Sequence, residues 1–276
     1  MNRLVAWAAV LSVSGFAGCA TKSVVYPEYK QAPTVSVSNE TVSTMTETPA
    51  EDYLIPGSQV FVAGKGGASR YLALVGVAID RARNESNVSG NADAFRVTFK
   101  EQLSQALKVA GENSPYRTPI TLVETEGDIL MLPSARLVMR DESKAELSFR
   151  ITVRFKGPAE GNEGRKNYFY PYGIRPLAGE GGWADDNSAL FKQASDRAMA
   201  RLAQVILEDL AGAYRESVEP GKQRLVRWKP LGGDNIVTAV LLKDEPDYLI
   251  VMPTLRETPM TGIIGTVPKA NIRLQP

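Results

Sequence analysis

The stretch NYFYPYG sets Tyr168, Phe169, Tyr170 and Tyr172 almost side by side, and GGWADDN puts Trp183 next to Asp185 and Asp186. Aromatics this dense, broken by Pro171, suit a surface that grips a glycan or a protein, because tyrosine offers large contact area for little side-chain entropy. They equally suit the open end of a sheet that needs covering. The two carboxylates beside Trp183 suit a sugar or metal site, yet neighbours on a helix point about 100° apart and share a ligand poorly. Capping of the following helix explains Asp185 and Asp186 better, and no metal ligand set is assigned. Gly64, Gly66 and Gly67 with Lys65 invite a phosphate-loop reading, but AGKGGASR lacks the Lys-Ser/Thr ending that such a loop requires. A flexible connection accounts for it.

Composition narrows the chemistry further. The chain has 276 residues, no histidine and one cysteine, Cys19. Ser-His and Cys-His nucleophiles and histidine-based metal sites are therefore excluded, and no disulfide can form within the chain. Paired carboxylates or a Ser-Lys arrangement remain open to an enzyme, with Asp185 and Glu180 the carboxylates in question. The formal charge is +1 with both signs interspersed, which is no footprint for nucleic acid. No cofactor motif is present.

Cys19 itself stands at the end of a short basic start, Met1-Asn2-Arg3, and an apolar run from Leu4 to Gly18. That run is shorter than the roughly 20 residues of a membrane span and has the layout of a secretory signal. Ala17 and Gly18 directly before Cys19, and polar residues directly after it, resemble the lipobox of bacterial lipoproteins, with Phe16 where that family usually carries an aliphatic residue. The resemblance implies that residues 1–18 are removed and that Cys19 carries acyl chains. It also implies outer-membrane sorting, because Ala20 stands where an Asp marks retention in the inner membrane.

The elements that must position the aromatic residues can be read from periodicity. Residues 19–52, rich in Ser, Thr, Val, Pro and Glu, read as a lipidated N-terminus and flexible tether, although the Val-Ser alternation would form a strand if it met a sheet edge. A strand is expected over Gln59–Ala63 and a helix over Tyr71–Ile79. Phe95, Phe99, Leu103, Ala106, Leu107 and Ala110 lay an apolar stripe along a helix from Asn91 to Ala110, capped by Asn91 or Asp93 and ended by Gly111. Leu147, Phe149, Ile151, Val153 and Phe155 alternate with polar residues in a long strand whose other face, with Arg150, Arg154 and Lys156, is wet and basic. SARLVMR supplies a shorter neighbouring strand, and a third lies in NYFYPYGIRPL or in PITLVET. A second long helix is expected over Asn187–Tyr214, and four or five short strands beyond Pro220-Gly221.

This pattern predicts an α+β fold: an antiparallel sheet covered by two amphipathic helices over residues 53–217, then a small β-rich module over 218–276. The ending GIIGTVPKANIRL resembles the last strands of bacterial SH3-like domains, with Thr266 where that family often has Trp. The expected function is a non-enzymatic assembly, scaffold or accessory subunit of an envelope complex. The protein would be held to the membrane by lipid at Cys19 on the periplasmic face, with Tyr168, Phe169, Tyr170, Tyr172 and Trp183 as the partner surface. The alternative is peptidoglycan binding through the C-terminal strands; an envelope glycan hydrolase is the third reading.

Overall fold

The computed structural model describes residues 26–27, 29, 31–40, 52–64, 68–113, 119–156, 163–219, 221–230, 236–255 and 258–275. Within the stretch expected as a tether, Thr34–Val37 forms strand β1, with Val35, Ser36 and Val37 buried. Tyr53–Leu54 (β2) and Val60–Ala63 (β3) follow, then helix α1 over Ala68–Val88. The helix expected from Asn91 begins only at Lys100 and runs as α2 to Asn113, straight through Gly111. The cause is Gln59, fully buried, whose side-chain carbonyl accepts the Phe99 N–H (2.7 Å) while its own N–H donates to Val97 O (3.0 Å). Residues 97–99 are thus tied to the β3 lead-in, and only a 3-10 turn, Ser89–Phe95, precedes them.

After the short β4 (Thr121–Leu122) come the three long strands: β5 (Ile129–Met139), β6 (Lys144–Lys156) and β7 (Glu163–Pro176). They form an antiparallel meander with Met131 opposite Val153 and Ile151 opposite Tyr168. Helix α3 spans Ala189–Leu210 and buries Phe191, Ala198, Leu202, Val205 and Ile206. The remaining strands are β8 (Leu225–Pro230), β9 (Val237–Asp244), β10 (Tyr248–Leu255), β11 (Thr258–Pro259), β12 (Ile263–Pro268) and β13 (Ile272–Gln275).

The expected architecture of a two-helix-covered antiparallel sheet plus a separate small module is overturned. Among the described residues there are three α-helices, and all thirteen strands belong to one mixed sheet. Its path is β13-β8-β9-β10-β12-β7-β6-β5-β1-β4, with β3 beside the second half of β5, β2 beside β3 and β11 beside β10. β12 joins the meander in parallel, Ile263 to Gly265 matching Asn167 to Phe169. β1 and β3 both run parallel to β5.

Side-chain alternation explains why the C-terminal strands are not a body apart. Val240, Leu242, Ile250, Met252 and Ile264 point into the main core under α3. Their alternate neighbours Ala239, Leu241, Leu249, Val251 and Val267 point the other way, into a second core with Trp228 that β8 and β13 fold over to close. Strands apolar on both faces belong in the middle of a structure. At the other flank, the Arg136 guanidinium grips Asp52 through two bonds, Nε–Oδ2 2.8 Å and Nη2–Oδ1 3.0 Å, which pins the lead-in to β2 onto β5.

Candidate functional site

β7 carries the aromatic row, and a strand sends successive side chains to opposite faces. Tyr168 and Tyr170 therefore point under α3 and are buried, while Phe169 faces away and lies beneath the Arg150 guanidinium, 5.5 Å from ring centre to Cζ. A bulge follows: Ser148 pairs with Pro171 and Leu147 with Gly173, leaving Tyr172 as the extra residue. Bulges re-aim side chains. Tyr172 stays on the α3 side, 6.1 Å from Tyr170 and edge-on to Trp183 at 5.7 Å, and past the bulge Arg175 comes to that same side, over Trp183. Trp183 is not a contact surface but core: it is fully buried and its indole N–H donates to Ala145 O (2.9 Å).

Beyond Phe169, β12 parts from β7, and the space between them opens into a cleft of about 990 Å³. One wall is β7 from Tyr170 to Pro176. The other walls are the β9–β10 turn (Pro246, Asp247, Tyr248), the turn from β12 into β13 (Pro268 to Asn271) and Arg197 of α3. Crevices at the carboxyl ends of parallel strands are common ligand sites, because neighbouring strands diverge there. Tyr248 stands across from Tyr170 with ring centres 6.0 Å apart, and the Tyr170 hydroxyl donates to that of Tyr248 (3.3 Å). The Asn271 amide donates to Tyr172 O (2.6 Å), taking the place a neighbouring strand's N–H would have had.

Cations dominate the rim. Arg175 lies over the Trp183 ring at 5.8 Å, and Arg197 is exposed on α3; neither has a carboxylate partner among the described residues. Lys269 binds Asp244 (2.7 Å). One turn along α3 from Arg197, Arg201 stacks on Tyr248 at 4.9 Å and pairs with Glu245. Burial, and then the hydrogen bond to Tyr248, push the Tyr170 phenol well above the ordinary tyrosine range, so it remains a neutral donor.

The other polar cluster lies at the opposite end of β7 and has no cleft. Lys166 Nζ contacts Asp209 Oδ2 (2.7 Å), with the two side chains only 7% and 9% exposed. Tyr168 donates to the same oxygen (2.5 Å), and Tyr26 and Tyr168 share a 2.7 Å bond. Burial first, then the Asp209 charge, raise both phenols well above the usual value. One helix position earlier, Glu208 accepts from Tyr214 (2.6 Å) and Lys243 (2.9 Å). Burial pushes the Glu208 carboxyl up, but the bonds from Tyr214, Lys243 and Gln204 together with the Lys243 charge outweigh it and hold its pKa below the usual glutamate value. These groups are satisfied ion pairs that fasten α3 to β7 and β9.

Of the aromatic residues singled out from sequence, Tyr170 and Tyr172 line the cleft; Tyr168 and Trp183 are core, and Phe169 lies on the far face. Tyr248, Arg197, Lys269 and Asn271 complete the site from distant parts of the chain and carried no local signal. Asp185 does cap, but not α3 directly: its carboxylate accepts from Gly181 N (2.8 Å) and Asp186 N (2.9 Å). The next three residues, Asp186, Asn187 and Ser188, all have positive φ (44°, 52° and 64°), and Ser188 donates to Ala94 O (2.6 Å) instead of capping the helix. Lys65, Gly66, Gly67 and Cys19 lie outside the described residues. Among the described residues no cluster of three metal-binding side chains occurs, and no helix is long and apolar enough to cross a membrane. Compared with known proteins, the chain matches no family model, no curated protein and no solved structure.

Proposed function

We propose that this protein is an envelope lipoprotein, lipidated at Cys19 and sorted to the outer membrane, that acts by docking a protein partner as an accessory or scaffold subunit. The observation that carries the docking role is the lining of the cleft. Tyrosine and arginine are the residue types that dominate binding hot spots, and here Tyr170, Tyr172, Tyr248, Arg175 and Arg197 converge on one concavity. Among the described residues Asp247 is the one carboxylate lining it, whereas paired-carboxylate hydrolysis needs two. Of the two carboxylates of the hydrolase reading, Asp185 is turned onto backbone N–H groups and Glu180 is exposed in the turn before it, and neither lines the cleft.

Placing a photo-reactive phenylalanine at Tyr172 in the full-length chain, and separately at exposed Ile79, tests the reading in cells. A specific envelope protein captured at Tyr172 and not at Ile79 supports it; equal labelling of both positions counts against it. Cys19→Ser tests the lipid separately, since retention of the unprocessed precursor is expected and normal processing would refute lipidation.

Cell-wall binding is kept as a second reading on one observation. The strand path β13-β8-β9-β10-β12, with a 3-10 turn at Lys269–Asn271 before β13, is the order expected of an SH3-like barrel. Sedimentation with purified sacculi is the test, and it needs the whole chain because β9, β10 and β12 share the main core. No co-sedimentation removes this reading.

A further inference from the structure

We infer that the cleft takes an acidic, extended peptide segment, whose main chain lies along the outer edge of β7 and whose carboxylates meet Arg175 and Arg197. The inference rests on the docking role proposed above and names the chemistry of what docks.

Three observations converge. First, among the described residues β7 has only β6 as a strand neighbour from Tyr170 to Pro176, since β12 pairs with it no further than Phe169. Main-chain groups on a free strand edge are a template for an added strand. Asn271 already uses that template at Tyr172 O, with an amide N–H of the kind a peptide carries. Gly173, Ile174 and Arg175 continue the same wall of the cleft beyond it. A ligand bearing amides at strand spacing fits this edge, and a sugar chain has no equivalent donor series.

Second, the charge is one-sided. Arg175, Arg197 and Lys269 face the cleft against Asp247 alone. Lys269 is engaged by Asp244, which leaves the two arginines as the groups without a described counter-ion. Guanidinium forks match carboxylates in two-point geometry, and Arg clusters are a recurring way of reading acidic motifs. Third, one of the two arginines is held ready. Arg175 rests on Trp183, which is itself fixed by its bond to Ala145, so little side-chain freedom is lost on binding. In an extended peptide alternate side chains point to one face. Acidic residues at every second position would therefore all meet the arginine side, while the intervening residues face the opposite side of the sheet.

The test is titration of the purified full chain carrying Cys19→Ser with the acetylated, amidated peptide Glu-Val-Glu-Val-Glu, and with the same peptide carrying Gln at each Glu. Saturable binding of the first that falls as salt is raised, with at least about tenfold weaker binding of the second, is expected. Arg175→Gln and Arg197→Gln should each weaken it by about tenfold and the double variant should abolish it, while exposed Arg227→Gln leaves it unchanged. Equal affinity for both peptides, or unchanged affinity in the double variant, overturns the inference. So does tighter binding of a uronic acid oligosaccharide than of the peptide. If Tyr172 captures a partner in cells but the acidic peptide fails to bind, the docking role stands and this inference alone falls.

Discussion

The hydroxyls of Tyr26 and Tyr168, 142 positions apart in the chain, meet at 2.7 Å in the core. Tyr168 has a single proton and donates it to Asp209, so Tyr26 must be the donor to Tyr168. The Tyr26 ring also stacks against Phe155 at 4.6 Å and beneath Lys166 Nζ at 4.6 Å. A residue from the N-terminal arm therefore belongs to the folded body. Tyr26→Phe should cost about 1 kcal/mol by leaving Tyr168 without a donor. Tyr26→Ala should cost about 3–5 kcal/mol, through the loss of a buried ring. Urea midpoints at unchanged slope measure both.

Alkaline pH should unfold the protein in step with tyrosine ionisation. Tyr26, Tyr168, Tyr170 and Tyr214 all have phenols raised by burial in the folded state. A raised folded pKa means the stabilisation is complete below the unfolded value of 10.0 and is lost as pH climbs beyond it. Phenolate absorbance from these four of the ten tyrosines should appear only with loss of circular dichroism.

Glu208 gives the opposite sign at acid pH. Its folded pKa lies below 4.5, so its contribution is present above that value and drains away as pH falls through the folded pKa. Glu208→Gln should be destabilised at neutral pH and should converge on the parent chain in acid, as read from paired denaturation curves across pH.

Removing one member of the Lys166–Asp209 pair should hurt more than removing both. Lys166→Met leaves the Asp209 carboxylate in a site where it was 9% exposed, at about 3–5 kcal/mol. Combining it with Asp209→Leu should recover most of that loss. A cycle in which the double variant is as unstable as the sum of the singles would refute the pairing argument.

The two cores should melt together. Trp228 reports on the second core, and the α-helices lie on the main one. In a chain with Trp7→Phe and Trp183→Phe, Trp228 fluorescence and far-ultraviolet circular dichroism should share one denaturation midpoint, because β9, β10 and β12 carry side chains of both cores. Separate midpoints would restore a C-terminal module.

The turn before α3 stores strain. Asn187 sits at φ 52°, ψ 38° between two other residues of positive φ, a conformation costing roughly 1–2 kcal/mol for residues with a Cβ. Asn187→Gly should be neutral or stabilising, and Asn187→Val destabilising by about that amount, as judged from thermal midpoints.

Local elements were largely legible in the sequence. The alternation of Leu147 to Phe155 marks β6, and the stripe through Leu202 and Ile206 marks α3, since both periods are written in adjacent residues. What failed was long-range pairing. Nothing near Ile263 announces a parallel match with Asn167, and an extra residue at Tyr172 cannot be seen without its partner strand. One signal of the shared core is local: TAVLL in β9 and YLIVM in β10 are apolar at consecutive positions, which is the mark of strands buried on both faces. At the site, Tyr170 and Tyr172 were found because they sit together, whereas Tyr248 and Arg197 reach the cleft only through folding.

Tyr26 also sets a leash. With lipid on Cys19, the chain has seven residues before Tyr26, a reach of at most about 25 Å even fully extended, not the long flexible lead of a 19–52 tether. Tyr26 bonds Tyr168 toward the Lys166 end of β7, and the cleft wall runs from Tyr170 to Pro176, about 13 to 33 Å beyond Lys166 at about 3.3 Å per residue. On the proposed lipidation, the Tyr26 side of the body is tethered nearer the bilayer than the Arg175 end of the cleft, by a leash shorter than a 19–52 tether. A dye introduced at Lys156→Cys should transfer energy to labelled lipid far better than one at Ala270→Cys; equal transfer would mean the body lies on its side.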